Sequence, residues 1–116
     1  MRLVEEAKQL QPGLVKLRRE LHQIPEFGLD LPQTLQTVLR EVDGLGEVRS
    51  EPEISCATVL IRGAQTGPTV LLRADMDALA VVEDTGLDFA SKNGYMHACG
   101  HDLHMAIGVG AARLVH

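Results

Sequence analysis

One stretch decides how this chain folds and what it binds: Tyr95-Met96-His97-Ala98-Cys99-Gly100-His101-Asp102-Leu103-His104. It holds three of the chain's five histidines, one of its two cysteines and one acid. If the stretch is extended, the side chains of His97, Cys99 and His101 leave one face, because side chains alternate along a strand. Thiolate, imidazole and carboxylate together suit zinc, manganese, cobalt or nickel better than calcium or magnesium. This density of donors predicts a metal site.

Helical patterns lie towards both ends of the chain. Residues 3–24 carry apolar residues in steps of three or four, and residues 31–42 repeat that spacing after Asp30, a suitable N-cap. Asp102 is a favourable N-cap as well, and the mostly apolar residues 103–115 predict a buried helix. We therefore expect two N-terminal helices, and metal donors held at a rigid turn into a third helix.

The donor residues also have an explanation without a metal. Cys99 and His101 supply two ligands at most, so further ligands must come from elsewhere. His97 and His104 have the alternative of being ordinary surface or hydrogen-bonded histidines, and Cys99 that of a small buried hydrophobe. His22 lies near the end of the first predicted helix, where the helix dipole alone favours it. A role near the site is the other interpretation of His22.

Composition narrows the class of protein. At 116 residues there is room for one domain or part of one, and with 3% aromatic residues the core must be aliphatic. The net charge of −5 argues against a nucleic-acid partner. No apolar run is long enough for a membrane span, the first residues do not resemble a signal peptide, and Cys56 and Cys99 lie in contexts too different to pair. We expect a cytoplasmic, reduced protein without a membrane partner.

The middle of the chain changes to a strand pattern. Residues 54–62 and 68–74 are rich in Val, Ile, Leu and Thr, which predicts two strands. The glycine-containing residues 63–67 lie between them, so we expect an antiparallel hairpin of these two segments. Cys56 falls in the first predicted strand, where a packing role is expected.

Two acids follow the second predicted strand. Ligand and catalytic groups in α/β sheets tend to lie just past the carboxyl ends of strands, which makes Asp75 and Asp77 candidates. Asp77 would touch a metal or orient a metal-binding histidine. The alternative is that Arg73 simply pairs with the acids. Glu83 and Asp84 come next, and for them a solvated loop is the default expectation.

Two long motifs resemble a known family. They are Leu71-Leu72-Arg73-Ala74-Asp75-Met76-Asp77-Ala78-Leu79 and Met96-His97-Ala98-Cys99-Gly100-His101-Asp102. They resemble the metal-dependent aminoacylases and N-acyl-amino-acid amidohydrolases, including hippurate and auxin-conjugate hydrolases, of the zinc carboxypeptidase/aminoacylase superfamily. Arg19-Glu20-Leu21-His22, followed by Pro25-Glu26, resembles the N-terminal signature of that family. The resemblance runs from about Leu14 to Val115.

The resemblance implies a fold and a site. The implied fold is α/β, a three-layer zinc-peptidase-like mixed sheet flanked by helices, present incompletely as two N-terminal helices, a strand hairpin and then a buried helix. The implied site binds two divalent metal ions, Mn, Zn, Co or Ni. Cys99 and His101 match the first two ligand positions, and Asp77 matches the acid that supports the site. Asp75 falls where related branches carry a liganding histidine, which leaves its role open.

The resemblance also implies a reaction and a larger protein. It implies that the amide bond of an N-acyl amino acid or related small amide is hydrolysed, with a glutamate as general base. That glutamate, the remaining ligands and a dimerisation domain belong after residue 104 in the family. Residues 103–116 stop inside an apolar helix without a glycine cap. We therefore expect residues 1–116 to be the N-terminal portion of the catalytic domain. The alternative is an inactive fragment that binds metal or self-associates through exposed apolar surface.

Overall fold

The computed structural model describes residues 2–116 as three helices and a two-stranded antiparallel hairpin. The elements in chain order are α1 (Arg2–His22), α2 (Pro32–Val42), β1 (Glu47–Glu51), a 3-10 turn (Pro52–Ile54), β2 (Cys56–Leu60) and α3 (His101–Val115). The predicted mixed α/β class, with two N-terminal helices, a hairpin and a later helix, is confirmed.

The core forms where α1 and α3 pack together. The periodic apolar positions of α1 place Leu17 and Leu21 on one buried face. They meet Met105 and Val109 of α3, and Val42 at the end of α2 completes the cluster. This core is aliphatic, as the composition predicted, and it fixes α3 against the C-terminal half of α1. Within residues 2–116, no helix is both long and apolar enough to span a membrane.

The start of α2 differs from the prediction that Asp30 caps it. Leu31 occupies the N-cap position and makes no side-chain cap. Instead the Glu26 carboxylate accepts hydrogen bonds from the backbone N–H groups of Gln33 (3.2 Å) and Thr34 (2.7 Å). A carboxylate at a helix N-terminus satisfies free N–H groups and is favoured by the helix dipole, so Glu26 performs the capping role.

The hairpin is built from different segments than the sequence predicted. β1 pairs with β2, from Glu47 opposite Leu60 to Glu51 opposite Cys56. The expected second strand, residues 68–74, is neither strand nor helix and forms no ladder within the described part of the chain, and Val70 and Leu71 are more than 80% exposed. The predicted pairing was wrong because the tight Pro52–Ile54 turn joins β2 to the segment before it, whose charged residues had concealed a strand.

Candidate metal centre

Two isolated backbone bridges bring the two sequence motifs together. The N–H of Ala78 donates to the carbonyl of Glu26 at 2.7 Å. Leu79 and Met96 exchange two backbone hydrogen bonds of 2.9 and 3.0 Å. Ala78 directly follows Asp77, and Met96 directly precedes the donor cluster, so these bridges set the acid motif beside the start of α3.

The donor cluster lies at a turn into α3, as the sequence predicted, and not in the extended form that would put its side chains on one face. The chain turns at residues 98–100, and Gly100, in the left-handed region at φ 81°, occupies the N-cap position of α3. Glycine adopts this conformation without the steric cost that a side chain would add. As a result His97 is buried, Cys99 is exposed and His101 is half-buried in the first turn of the helix. The three side chains therefore do not share one face.

His101 is oriented by Asp77. Its Nδ1 atom lies 2.8 Å from the Asp77 carbonyl oxygen and 3.1 Å from the carboxylate Oδ1 atom. Both oxygens are acceptors, so Nδ1 carries the proton and Nε2 keeps its lone pair. A second hydrogen bond that fixes the tautomer is the usual support of a metal-binding histidine. The geometry leaves Nε2 as the atom of His101 that can bind a metal.

Asp75 lies on the Nε2 side of His101. One of its oxygens is 3.9 Å from His101 Nε2, while the other accepts hydrogen bonds from Arg73, the shorter at 2.7 Å. The hydrogen bonds from Arg73 lower the pKa of Asp75 against the opposing effect of burial, and the positive charge of Arg73 and the nearby His101 and His104 rings add to the lowering. The His104 ring stacks on that of His101 at 6.1 Å. The predicted Arg73 ion pair is present, but it concerns Asp75 alone.

Cys99 and His97 differ in what surrounds them. Cys99 is an exposed, free thiol, and Cys56 is likewise unpaired, as the sequence predicted. His97 is 4% exposed, and neither of its ring nitrogens has a hydrogen-bond partner among residues 2–116. Burial lowers the pKa of His97, which keeps the imidazole neutral. An accessible thiol and a neutral, unpartnered imidazole both flank the turn that carries His101.

The donors present fit part of a metal site. Cys99 offers a free sulfur and His101 a free Nε2 atom, and these donor types suit zinc and its neighbours in the first transition series. Across residues 2–116, however, no three His, Cys, Asp or Glu side chains are grouped so that they could hold a metal ion. Two donors make an incomplete coordination shell, as the Cys-x-His spacing indicated.

A buried polar network joins the first turn of α3 to α1. Asp102 and His22 are 0% and 2% exposed, and His22 Nδ1 lies 2.7 Å from Asp102 Oδ2. Arg18 donates to the same oxygen at 2.8 Å. On the other side of the imidazole, Nε2 lies 2.8 Å from Glu83 Oε1. Asp102 was predicted to cap α3, but its side chain instead joins α3 to α1.

Glu83 was expected in solvent, yet its side chain is inaccessible. Burial opposes its ionisation, but hydrogen bonds from the Thr85 hydroxyl, the Ser91 backbone N–H and His22 outweigh it and lower the pKa of Glu83 to about 2. The Phe89 ring of the same loop packs edge-on against His22 and lies under the Arg18 and Arg19 guanidinium groups. The local sequence did not mark Glu83 as buried, because its partner His22 lies 61 residues away along the chain.

Comparisons with known proteins place the chain in a family of peptidases. Residues 71–116 match the model of the peptidase family M20/M25/M40. The chain is 45% identical over 101 residues to N-acetyldiaminopimelate deacetylase of Streptococcus sanguinis, a match that covers 83% of this chain and 27% of the relative. It is 40% identical to thermostable carboxypeptidase 1 of Saccharolobus solfataricus, covering 98% of this chain and 30% of that protein. The chain thus spans less than a third of the length of the curated relatives it matches.

Solved structures give the same family. The chain superposes with a TM-score of 0.84 on the YXEP protein of Bacillus subtilis, described as a dinuclear metal binding peptidase from the M20 family. The two are 38% identical, and the match covers 92% of this chain and 31% of the other. At this identity and TM-score, the described residues share the fold of the compared peptidase over the matched region.

Proposed function

The chain belongs to the peptidase family M20/M25/M40, and we propose that its 116 residues are the N-terminal part of the catalytic domain of a metal-dependent amidohydrolase. In this proposal Cys99 and His101 are metal ligands and Asp77 is the residue that orients His101. The remaining ligands and the glutamate base lie outside these 116 residues, as does a dimerisation domain. The complete site holds two divalent ions, Mn, Zn, Co or Ni.

One observation carries the proposal: the contact between Asp77 and His101 Nδ1. It joins the two motifs through a hydrogen bond that leaves Nε2 free, and it occurs one turn from the accessible thiol of Cys99. A histidine held in this way by an acid is typical of a metal ligand with its supporting residue. The relative described as a dinuclear metal binding peptidase supports a site of two ions.

The residues of this chain have defined tasks in the proposed reaction. Bound metal ions would supply a water of lowered pKa and Lewis-acid polarisation of the amide carbonyl. Cys99 binds as the thiolate and gives up its proton on metal uptake. Asp77 holds the His101 proton on Nδ1, so that Nε2 does not have to be deprotonated before it binds. Asp75 places a negative charge beside Nε2 and favours a cation there.

We propose as substrate an N-acyl amino acid or a related small amide. The Streptococcus relative is named as a deacetylase of N-acetyldiaminopimelate and the Saccharolobus relative as a carboxypeptidase. Both activities hydrolyse an amide bond next to an amino-acid unit. The net charge of −5 supports a partner other than nucleic acid, and the free cysteines support a reducing, cytoplasmic location.

The test combines metal content with activity. The purified 116-residue chain is loaded with each of the four metals, dialysed, analysed for bound metal and assayed with a panel of N-acyl amino acids. We expect at most one weakly held ion per chain and no turnover above the metal-only rate, because two donors without a base do not complete the site. Metal uptake that is unchanged in Cys99→Ser and His101→Ala would contradict the proposed ligands. Turnover that a chelator abolishes would contradict the proposal that the remaining ligands and the base lie outside these 116 residues.

A second candidate is a fragment that self-associates without catalysis. It rests on the apolar residues Val70, Leu71 and Leu72, which are 86%, 88% and 63% exposed. An unpaired apolar strand is a template for pairing with another chain. Such a fragment could also bind one structural metal ion. In that case a chelator would unfold the chain, and circular dichroism would record the loss of helix.

A further inference from the structure

The hydrogen bonds around the buried network determine its charges. Asp102 Oδ2 accepts from Arg18, and Oδ1 accepts from the backbone N–H of Leu103 at 2.9 Å. Every neighbour of the Asp102 carboxylate is thus a donor, as expected for an ionised acid. A buried carboxylate is stable in this form only when opposite charge and donors surround it.

The same reasoning applies to Glu83 at the other end. Its Oε1 atom accepts from the Ser91 N–H at 2.8 Å, and Oε2 accepts from the Thr85 hydroxyl. That hydroxyl itself accepts from the backbone N–H of Leu87, so its proton is directed at Glu83. Glu83 is therefore an acceptor at both oxygens and is ionised.

His22 lies between these two carboxylates. Nδ1 faces Asp102 at 2.7 Å and Nε2 faces Glu83 at 2.8 Å, both in a buried environment. A neutral imidazole would turn one lone pair towards a carboxylate oxygen. Only the doubly protonated ring donates to both acids. With Arg18, the cluster then contains two positive and two negative charges, and it is balanced.

We propose that His22 is a positioning residue for the metal centre, a buried imidazolium that fixes the first turn of α3 by holding Asp102. Asp102 is the residue next to His101, so the His22–Asp102 ion pair fixes the position of the His101 backbone at the start of α3. It thereby fixes where the His101 ring contacts Asp77. The 80–95 loop takes part because Glu83 supplies the second acceptor. The proposal uses the proposed function only in assigning metal binding to His101.

Charged groups from three elements face His22. Asp102 faces it from α3, Glu83 from the loop and Arg18 from α1 itself. The Phe89 ring separates it from Arg19, and His97 is close enough for His22 to affect its pKa. Both ring nitrogens of His22 face ionised carboxylates, which can only accept hydrogen bonds. The ring must therefore carry a proton on each nitrogen.

The test reads the histidine rings directly, without metal. Long-range ¹H–¹⁵N spectra of the labelled chain distinguish protonated from unprotonated ring nitrogens. At neutral pH we expect both His22 nitrogens protonated and His101 in the Nδ1–H tautomer. A lone-pair nitrogen on His22 would overturn the proposal, and this needs no variant.

Variants then separate positioning from stability. In His22→Gln we expect His101 to lose its single tautomer and to exchange between the two, and cobalt affinity to fall about tenfold. In Leu14→Ala, which weakens packing of α1 on α3 without touching the network, we expect a lower melting temperature and an unchanged His101 tautomer. If His22→Gln does not fold, Glu83→Gln perturbs the network from its far side with the same expectation.

The outcomes separate this inference from the proposed function. An unchanged His101 tautomer in the folded His22→Gln or Glu83→Gln variant would overturn the positioning role. Failure of the wild-type chain to bind cobalt, with the tautomer shift present, would overturn metal binding by His101 and leave the positioning of its ring supported.

Discussion

Asp77 presents two oxygens to His101 Nδ1, one from its backbone and one from its side chain. The substitution Asp77→Ala removes the carboxylate but keeps the carbonyl acceptor. We therefore expect metal affinity to fall by about tenfold, the lower end of what loss of a supporting residue costs. Competition with a colorimetric chelator measures the affinity. Asp84→Ala, an exposed acid of the following loop, is the matched control and should bind metal like the wild type.

Glu83 predicts a pH dependence of stability. Its pKa is lowered to about 2 from 4.5, so its contribution to the free energy of unfolding is fully present above pH 4.5 and is lost as the pH falls towards 2. In Glu83→Gln, unfolding in this range should take up about one proton fewer, and stability should fall less steeply with acid. Urea denaturation at a series of pH values measures this slope.

The control for that experiment is Asp84→Asn. Asp84 is exposed, and its substitution should leave the slope unchanged. Glu20 and Asp75, whose pKa values are lowered chiefly by hydrogen bonds from Arg40 and Arg73, keep part of the acid sensitivity in every variant. An acid slope that is identical in wild type and Glu83→Gln would contradict the buried, ionised state of Glu83.

Residue roles were predictable where the partners are close in sequence. The Cys99-x-His101 spacing and the Arg73–Asp75 pair could be inferred from local patterns. Asp77 could be named as a candidate from its place after a predicted strand, but its partner could not, since its contact with His101 joins positions 24 residues apart. The Glu83–His22 contact, across 61 residues, depends on loop closure and on burial, neither of which a local pattern encodes.

At the scale of elements, Gly46 is the position where the hairpin leaves no room. A Cβ atom added there would overlap the Leu60 carbonyl oxygen, which belongs to the backbone and cannot rotate away. Gly46→Ala should therefore lower the free energy of unfolding by about 1–3 kcal/mol, as overpacking does. Chemical denaturation measures the change.

Gly13 provides the matched control for this substitution. It lies in α1 with open space around its Cα, so Gly13→Ala adds a methyl group without a clash. Alanine is about 1 kcal/mol more favourable than glycine inside a helix, so this variant should be more stable than the wild type. Equal effects of the two substitutions would contradict the close approach of Gly46 to β2.

The helices were more predictable than the hairpin for a physical reason. Helix signals repeat every three or four residues, and α1 continues through Pro12. Its buried residues, Leu17, Leu21 and His22, all lie on the C-terminal side of that proline. Strand pairing depends on distant partners. β1 is a short, charged segment whose pairing is decided by the turn that follows it, and an apolar pattern does not reveal such a strand.

For the whole molecule, the exposed apolar side chains of residues 70–72 predict self-association. Leu71 is 88% exposed, so Leu71→Lys removes apolar surface and adds a charge that opposes strand pairing. We expect the wild-type chain to show a mass above that of the monomer in light scattering at high concentration, and Leu71→Lys to restore the monomer. Leu3→Lys, at a 53% exposed position of α1, is the control and should change nothing. A monomeric wild type would contradict this prediction.

The overall class of the fold and the turn into α3 followed from the sequence, whereas the directions of the side chains of the proposed donors did not. The alternation of His97, Cys99 and His101 assumed an extended chain, and the left-handed Gly100 replaces it with a turn. Whether a glycine bends the chain depends on what packs against both sides. Here the Leu79–Met96 bridge and the buried Asp102 fix those sides.

A cobalt titration of the purified chain, followed by thiolate-to-cobalt absorption, examines the pairing of Cys99 and His101 without relying on activity. We predict an absorption band that saturates at no more than one cobalt per chain, disappears in Cys99→Ser, weakens in His101→Ala and persists in Cys56→Ser. A band that survives in Cys99→Ser, or a wild-type chain that shows no band at all, would contradict the assignment of this turn as a metal centre.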